Sequence, residues 1–519
     1  MRTATVVIGC LLSFGTSTAG ESPPTLPLPA GGFRTLRTIE TDADFAQALA
    51  FSPDGGTLAV ADGTAVRFWD PRTGKERAEP WKLSGTVKFL AFVDAATLAV
   101  IAAPRTSVSV RQYPQGKELA RLDADKDETF SCLATTKGTI AVGSEGAAPA
   151  VRLFTGPNWR RAWRAELPAK SAPLAPAFGP NKKDVLATTW GKGVLTLAAA
   201  DGRQVPGGAF DAINASHVTR VCASPDGLHV ASGPVDPGAA GAVQSLGAGV
   251  VVFDVRSKST RFFRWELDRD SAGLPLGCAF TPDGKTLVVP CRGQTVRLYE
   301  LETGELRVLG HVPCNPYCFA LSPDGRLFAF AGSNSYVAVV DWRGTAPRKD
   351  PPDAAALNRL WAALAGDSTT GFSAVVELGA APAQAAKFFD EKLKPVPVAR
   401  PDVVKTLIAD LGSDEFAARE AAEEQLAALG EAVEAELREA VQGDDPERRD
   451  RAQRLLRTLN RRARVERVRA LRAVEVLEYA DTPAGRVVLA KLAAGAPSAR
   501  LTQDAKAALD RLRASDPNP

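Results

Sequence analysis

Histidine is nearly absent from this chain, with 3 in 519 residues, and its 1 methionine is the initiator. That scarcity leaves little material for an imidazole-centred metal site or a histidine-dependent triad. Cysteine is also sparse, at 7, which is far from the density of a small disulfide-built scaffold. No Cys-x-x-Cys-His stretch occurs, so neither haem attachment nor a zinc cluster is advertised. Charge of one sign is missing too: 63 basic groups stand against 60 acidic ones, giving a formal net charge of +3. A balance that even offers no electrostatic footprint for nucleic acid. The sequence lacks a Gly-x-Ser-x-Gly elbow and a Gly-x-x-x-x-Gly-Lys loop, so neither serine hydrolysis nor nucleotide binding is signalled. No catalytic residue, metal site or cofactor is therefore expected. What remains, 45% hydrophobic and 24% charged residues, describes a globular protein too long for one core.

The first 19 residues, MRTATVVIGCLLSFGTSTA, pair Arg2 with an apolar run from Thr5 to Phe14 and small residues at Ser17 and Ala19. This is the pattern of a signal peptide over 1–19, with a run of about ten residues that is too short to span a bilayer. The expectation is an exported, periplasmic or secreted protein. Val7-Ile8-Gly9-Cys10 offers a lipoprotein alternative, although the apolar stretch ahead of Cys10 is short. Residues 20–33 are a Pro- and Gly-rich lead-in. Of the six cysteines beyond the leader, Cys314 and Cys318 are close enough in sequence to pair, or to remain buried thiols.

The next 320 or so positions are repetitive. A turn recurs as Ser52-Pro53-Asp54-Gly55, Ser224-Pro225-Asp226-Gly227, Thr281-Pro282-Asp283-Gly284 and Ser322-Pro323-Asp324-Gly325, each followed by an apolar run such as TLAVA or LFAFA. Proline fixes the first turn position, and Asp-Gly tolerates the backbone of a tight hairpin. The repeated acids Asp54, Asp226, Asp283 and Asp324 therefore read as turn chemistry before anything catalytic. Four positions before each stands a small residue, Ala50, Cys222, Ala279 and Ala320, which implies a crowded interior contact. Weaker copies between them bring the number of units to seven. A third strand shows as AVRFWD, AVRLF, GVVVFD, TVRLYE and VAVVDW, and Leu36-Arg37-Thr38-Ile39 could supply the outer strand of the last unit and close a ring.

These repeats resemble the WD40 repeat family of β-propellers. Phe68-Trp69-Asp70 is similar to that family's terminal dipeptide, and Gly310-His311 to its Gly-His signature. The resemblance implies a seven-bladed propeller over 34–345, with Trp69 and Asp70 in structural positions and His311 in an internal hydrogen-bond network. It implies no particular activity.

After a linker at 346–352, composition shifts: 8 of the 44 glycines lie beyond 352, and Ala, Leu, Glu and Arg take over, which favours helix. Helices are expected at 354–365, 372–378, 382–393, 401–411, 414–429, 431–441, 446–462, 465–479, 483–494 and 498–513. Ser413 is placed as an N-cap, Gly430 as a helix stop, and Thr482-Pro483 as a cap and first turn. The region 353–515 resembles a HEAT-like helical stack, and the whole arrangement is similar to exported WD40 domain-containing proteins of planctomycete-type bacteria. The fold class expected is an all-β propeller followed by an all-α domain.

Two segments are candidate binding surfaces. PNWRRAWR brings together Trp159, Arg160, Arg161, Trp163 and Arg164, an aromatic and guanidinium mixture suited to protein contact or to packing between blades. Eleven arginines lie between Arg448 and Arg472, of which Arg457, Arg461, Arg462 and Arg464 form a candidate anion-binding surface or, with their acidic neighbours, a salt-laced helix face. The function expected is an exported scaffold that binds protein partners, with no nucleic acid and with peripheral association to the envelope. Alternatives are an envelope-associated glycan-binding or hydrolytic propeller, and a self-associating structural component of the envelope.

Overall fold

The computed structural model describes residues 33–43, 46–168, 173–179, 183–189, 193–205, 218–234, 248–255, 259–265, 273, 275–332, 335–343 and 350–515. Two compact units divide the chain, one ending at 344 and the other beginning at 345.

The first unit is a seven-bladed β-propeller. Its seven sheets are antiparallel, and consecutive strands pair within each blade from inside to outside. Blade one runs Leu49–Phe51, Leu58–Asp62, Ala65–Trp69 and Glu76–Lys82. Blades two and three begin at Val87–Asp94 and Glu128–Thr136. Blade four has three strands among the described residues, from Pro173–Phe178 to Gly193–Ala198. Blades five, six and seven begin at Val218–Ala223, Ala279–Phe280 and Pro316–Leu321. The first strands of neighbouring blades touch, except that the first strand of blade seven meets the second strand of blade six, so the first strands surround the axis. Arg34–Glu40 is the outer strand of blade seven, paired antiparallel with Tyr336–Asp341, so the two ends of the propeller chain close the ring. The strand from the start of the chain thus completes blade seven from the outside, and the ring of blades leaves only short, protected sheet edges.

The recurring turns repeat one hydrogen-bond pattern. In blade one the Ser52 hydroxyl donates to Asp54 Oδ1 at 2.5 Å, accepts from Thr57 N at 2.9 Å, and Asp54 Oδ1 accepts from Gly56 N at 3.0 Å. Ser224, Thr281 and Ser322 hold Asp226, Asp283 and Asp324 in the same way. The turns also abut one another around the lower face. A methyl group on Gly325, whose φ is +68°, would fall 2.7 Å from Pro282 Cδ of the preceding blade. Arg72, past the third strand of blade one, reaches Asp324 of blade seven at 3.2 Å, and Arg343 of blade seven reaches Asp283 of blade six at 3.6 Å. The small residues Ala50, Cys222, Ala279 and Ala320 are all buried in the first strands, where neighbouring blades crowd the axis.

The second unit is helical: α1 (Ala354–Ala363), α2 (Ser368–Gly379), α3 (Pro382–Lys392), α4 (Pro401–Asp410), α5 (Phe416–Leu429), α6 (Glu434–Val441), α7 (Pro446–Ala480), α8 (Pro483–Ala493) and α9 (Arg500–Ser515). One core gathers α1, α2, α3, α8 and α9 on the C-terminal half of α7, around Phe389, Val474 and Leu489. A second packs α4, α5 and α6 on its N-terminal half, around Leu411, Leu426 and Leu437.

Several expectations change here. The two helices expected at 446–462 and 465–479 are one helix of 35 residues, because nothing between them stops propagation: no Gly or Pro intervenes, and Asp445 caps the start while Asp481 ends it. Ser413 is not the N-cap of α5; the helix begins at Phe416, and the Ser413 hydroxyl accepts from Glu415 N at 3.2 Å. Gly430, at φ +58°, does terminate α5, and Thr482 does cap α8 through Gly485 N. Cys314 and Cys318 are buried thiols, not joined to each other, and the Cys318 thiol donates to Ala46 O at 3.4 Å. His311 is exposed at the end of the outer strand of blade six, opposite Thr295, so it takes no part in an internal network.

Candidate functional site

The segment PNWRRAWR forms the outer edge of blade three, with Arg160–Glu166 as its fourth strand. Trp163 is buried and faces the next blade: its indole N–H donates to Ala199 O at 2.9 Å, and its ring covers Gly202, where a Cβ would lie 2.6 Å from the ring. Trp81 does the same between blades one and two, donating to Pro114 O at 3.0 Å and covering Gly116. Arg261 replaces the indole between blades five and six, donating to Leu301 O at 2.8 Å over Gly304. In each case a glycine at positive φ in the turn after the third strand leaves room for a large side chain from the preceding blade. Trp163 is therefore a joint between blades and not a contact for a partner. Trp159 is half-buried at φ +50° against the core between blades two and three, and Trp190 lies outside the described residues.

The arginines of the segment divide. Arg160 is exposed at the lower end of its strand. Arg161 and Arg164 join Arg152 in a network with Asp125, Glu128 and Glu166 at the upper end of blade three. Arg152 is fully buried, donating to Asp125 Oδ2 at 2.6 Å, to the Ser144 hydroxyl at 2.5 Å and to Glu128. Burial works to raise the Glu128 pKa, but donation by Ser144, Arg152 and Arg164 holds it below the usual carboxylate range. Donation by Arg152 lowers that of Asp125. Three guanidiniums against three carboxylates leave this network charge-balanced and structural.

Sequence reasoning missed the more exposed arrangement at the upper mouth of the axis. The first strands of blades two, three and seven each carry a bulge near the start, at Lys88, Ser131 and Tyr317. Val87 packs into the core between blades one and two, whereas Phe89 packs between blades two and three. Lys88, between them at the bulge, belongs to neither core and is half-buried. Gln47 is flanked similarly by Ala46 and Ala48, which belong to the cores on either side of blade one. Gln47, Lys88, Ser131, Leu276 and Tyr317 lie three positions before Ala50, Ala91, Ala134, Ala279 and Ala320, the small residues of their blades, and are all half-buried. That fixed offset is the signal by which the sequence could have located them.

Lys88 differs from the rest. Its ammonium has no hydrogen-bond or ion-pair partner among the described residues, and burial, with the nearby charge of Arg105, lowers its pKa. Arg105, in the loop between the second and third strands of blade two, donates to Glu145 at 2.7 Å and to Phe130 O at 3.3 Å. A half-desolvated cation beside a second, anchored one favours an incoming carboxylate.

On α7, Arg451 is paired with Glu420, Glu423 and Glu447, Arg454 with Asp450, and Arg469 with Glu466. Arg457 and Arg464 are exposed; the side chains of Arg461 and Arg462 lie outside the described residues. Among the described residues no group of three or more His, Cys, Asp or Glu is placed to hold a metal, and no helix is long and apolar enough to cross a membrane.

No protein-family model matches the chain. WD repeat-containing protein 90 of Xenopus tropicalis is 41% identical over 80 residues, covering 14% of this chain and 4% of that protein. The chain thus spans a small fraction of that relative's length. Kuenenia stuttgartiensis hydrazine synthase is a structural neighbour at a TM-score of 0.46 and 19% identity, covering 56% of this chain and 94% of the other. The blades themselves define the class: a seven-bladed β-propeller with a C-terminal helical region, loosely related to WD-repeat-type propeller proteins.

Proposed function

We propose that this protein is an exported scaffold whose propeller receives an acidic segment of a protein partner at the upper mouth of its axis. The carrying observation is Lys88, an ammonium with no partner among the described residues, half-buried, with Gln47, Ser131 and Tyr317 at the equivalent positions of blades one, three and seven. A desolvated cation gains most from a carboxylate that replaces the water it has lost. The helical unit, joined through the linker at 346–352, would offer a second surface, with Val398, Val403 and Phe416 exposed. The leader pattern at 1–19 supports export to a periplasmic or secreted location, with peripheral association to the envelope as part of the same reading.

A photo-crosslinking side chain at position 317 tests the reading, with one at position 72 on the lower face as the control. Envelope protein adducts at 317 and not at 72 support it; equal labelling at both positions, or none at 317 in folded protein, overturns it. One observation favours the glycan-binding alternative: Tyr317 is a half-exposed aromatic at the mouth, where a sugar ring could stack. Calorimetric titration with envelope glycan fragments distinguishes that reading.

A further inference from the structure

Cys222 and Cys278 stand on adjoining blades with their Sγ atoms 3.4 Å apart. Cys222 holds the small-residue position in the first strand of blade five, and Cys278 immediately precedes the first strand of blade six. Both are buried, at 1% and 2% exposure, in one apolar cluster with Phe280 and Leu287. We propose that this pair is a disulfide site that staples blade five to blade six beside the axis. The inference goes beyond the scaffold reading and does not depend on any partner.

Three observations support it. A disulfide brings its sulfurs to about 2.0 Å, so closure from the observed separation asks about 1.4 Å of approach, within reach of small side-chain rotations. The first strand of blade six has 2 residues, whereas those of blades two, three, five and seven have 8, 9, 6 and 6, so the backbone ladder near the axis is shortest where the bridge would lie. Blade five is also the one whose small residue is cysteine where blades one, six and seven have Ala50, Ala279 and Ala320. Elsewhere the Cys318 thiol donates to Ala46 O, and that of Cys291 to Val289 O.

The reaction is an exchange with a disulfide-bearing oxidant, either a dithiol-disulfide exchange catalyst or a small oxidised disulfide. The thiolate of one cysteine attacks the oxidant's disulfide and releases one of its sulfurs as a thiol. The second cysteine then displaces the other sulfur from the mixed disulfide. Two protein thiols are oxidised to one disulfide, and one oxidant disulfide is reduced to two thiols. Burial pushes the Cys222 thiol pKa up in the folded state, so the exchange belongs to folding, before the blades close over the pair.

The test uses the chain from residue 20 onward, refolded in mixed oxidised and reduced glutathione, alkylated, digested and mapped by mass spectrometry. The expected result is a Cys222–Cys278 peptide two hydrogens lighter than its reduced parts, with the other four cysteines alkylated. Reduction should lower the thermal midpoint of this protein by several degrees and leave that of the Cys222→Ala/Cys278→Ala double variant unchanged. Should refolding fail, the same mapping is made on protein secreted with its leader and alkylated at harvest. Recovery of both cysteines alkylated from oxidised, folded protein, or Cys222 linked to any other cysteine, would overturn the proposal.

Discussion

The indole N–H of Trp163 in blade three donates to the Ala199 carbonyl of blade four at 2.9 Å, and the ring roofs Gly202 in the same hairpin. That contact turns the most interface-like segment of the sequence into a joint of the ring. Trp163→Ala should empty a buried cavity and cost about 3–5 kcal/mol. Chemical denaturation followed by circular dichroism should show the propeller transition moving to lower denaturant. A shift no larger than that of a surface substitution would contradict the packing role.

Turn packing gives a paired test. Gly325 and Gly138 both adopt positive φ, at +68° and +70°, but a Cβ on Gly325 meets Pro282 at 2.7 Å, whereas nothing lies within 4 Å at Gly138. Gly138→Ala should cost about 1 kcal/mol from backbone strain alone. Gly325→Ala adds a clash with the neighbouring blade and should cost about 2–4 kcal/mol. Equal costs would show that the turns do not support one another across blades.

Asp70 links pH to stability. Partial burial works to raise its pKa, but the Thr73 amide, the Arg77 guanidinium and the Arg72 amide outweigh it and lower the value from 3.8 to about 2. A folded-state pKa below the unfolded one gives stability that is complete above the unfolded value and is lost as pH falls through the folded one. The contribution is about 1–2 kcal/mol, lost between about pH 4 and pH 2. Asp70→Asn should flatten the pH dependence of the unfolding midpoint in that window. An unchanged slope would contradict the assignment.

Arg472 on α7 is 1% exposed, and its Nη1 donates to Leu364 O and Gly366 O at 2.8 Å each. Those carbonyls end α1, and Gly371 is forced by the same guanidinium, since a Cβ there would lie 2.0 Å from Nη1. Arg472→Met should cost the helical unit about 2–4 kcal/mol. Hydrogen exchange should show α1 and α2 opening while the blades stay protected. Uniform loss of protection in both units would refute a local role.

Much of this architecture was legible in the residues. The Ser-Pro-Asp-Gly turns, the small residues before them and the run at Leu36–Ile39 marked blades, crowding and ring closure, because each follows from local chemistry repeated at a fixed spacing. What the sequence hid depends on tertiary placement. Helix α7 looked broken because Asn460, Arg461, Arg462 and Arg464 interrupt the apolar stripe without a residue that stops a helix. His311 looked internal because Gly310-His311 resembles a family signature, while the strand it ends is the exposed outer one. Lys88 stands at the fixed offset before its blade's small residue, but the bulge that sets it apart from Val87 and Phe89 appears only once the strands pair. The pairing of Cys222 with Cys278 spans 56 positions and exists only once two blades meet.

The most direct test of the scaffold reading is the affinity of a captured partner for the Lys88→Glu variant, measured by calorimetry with Arg72→Ala as the control. Lys88 lies at the upper mouth and Arg72 on the lower face, and both variants should keep the unfolding midpoint of the parent. The account predicts at least a tenfold loss of affinity, about 1.4 kcal/mol or more, for Lys88→Glu and no change for Arg72→Ala. Equal affinity for all three proteins would contradict it.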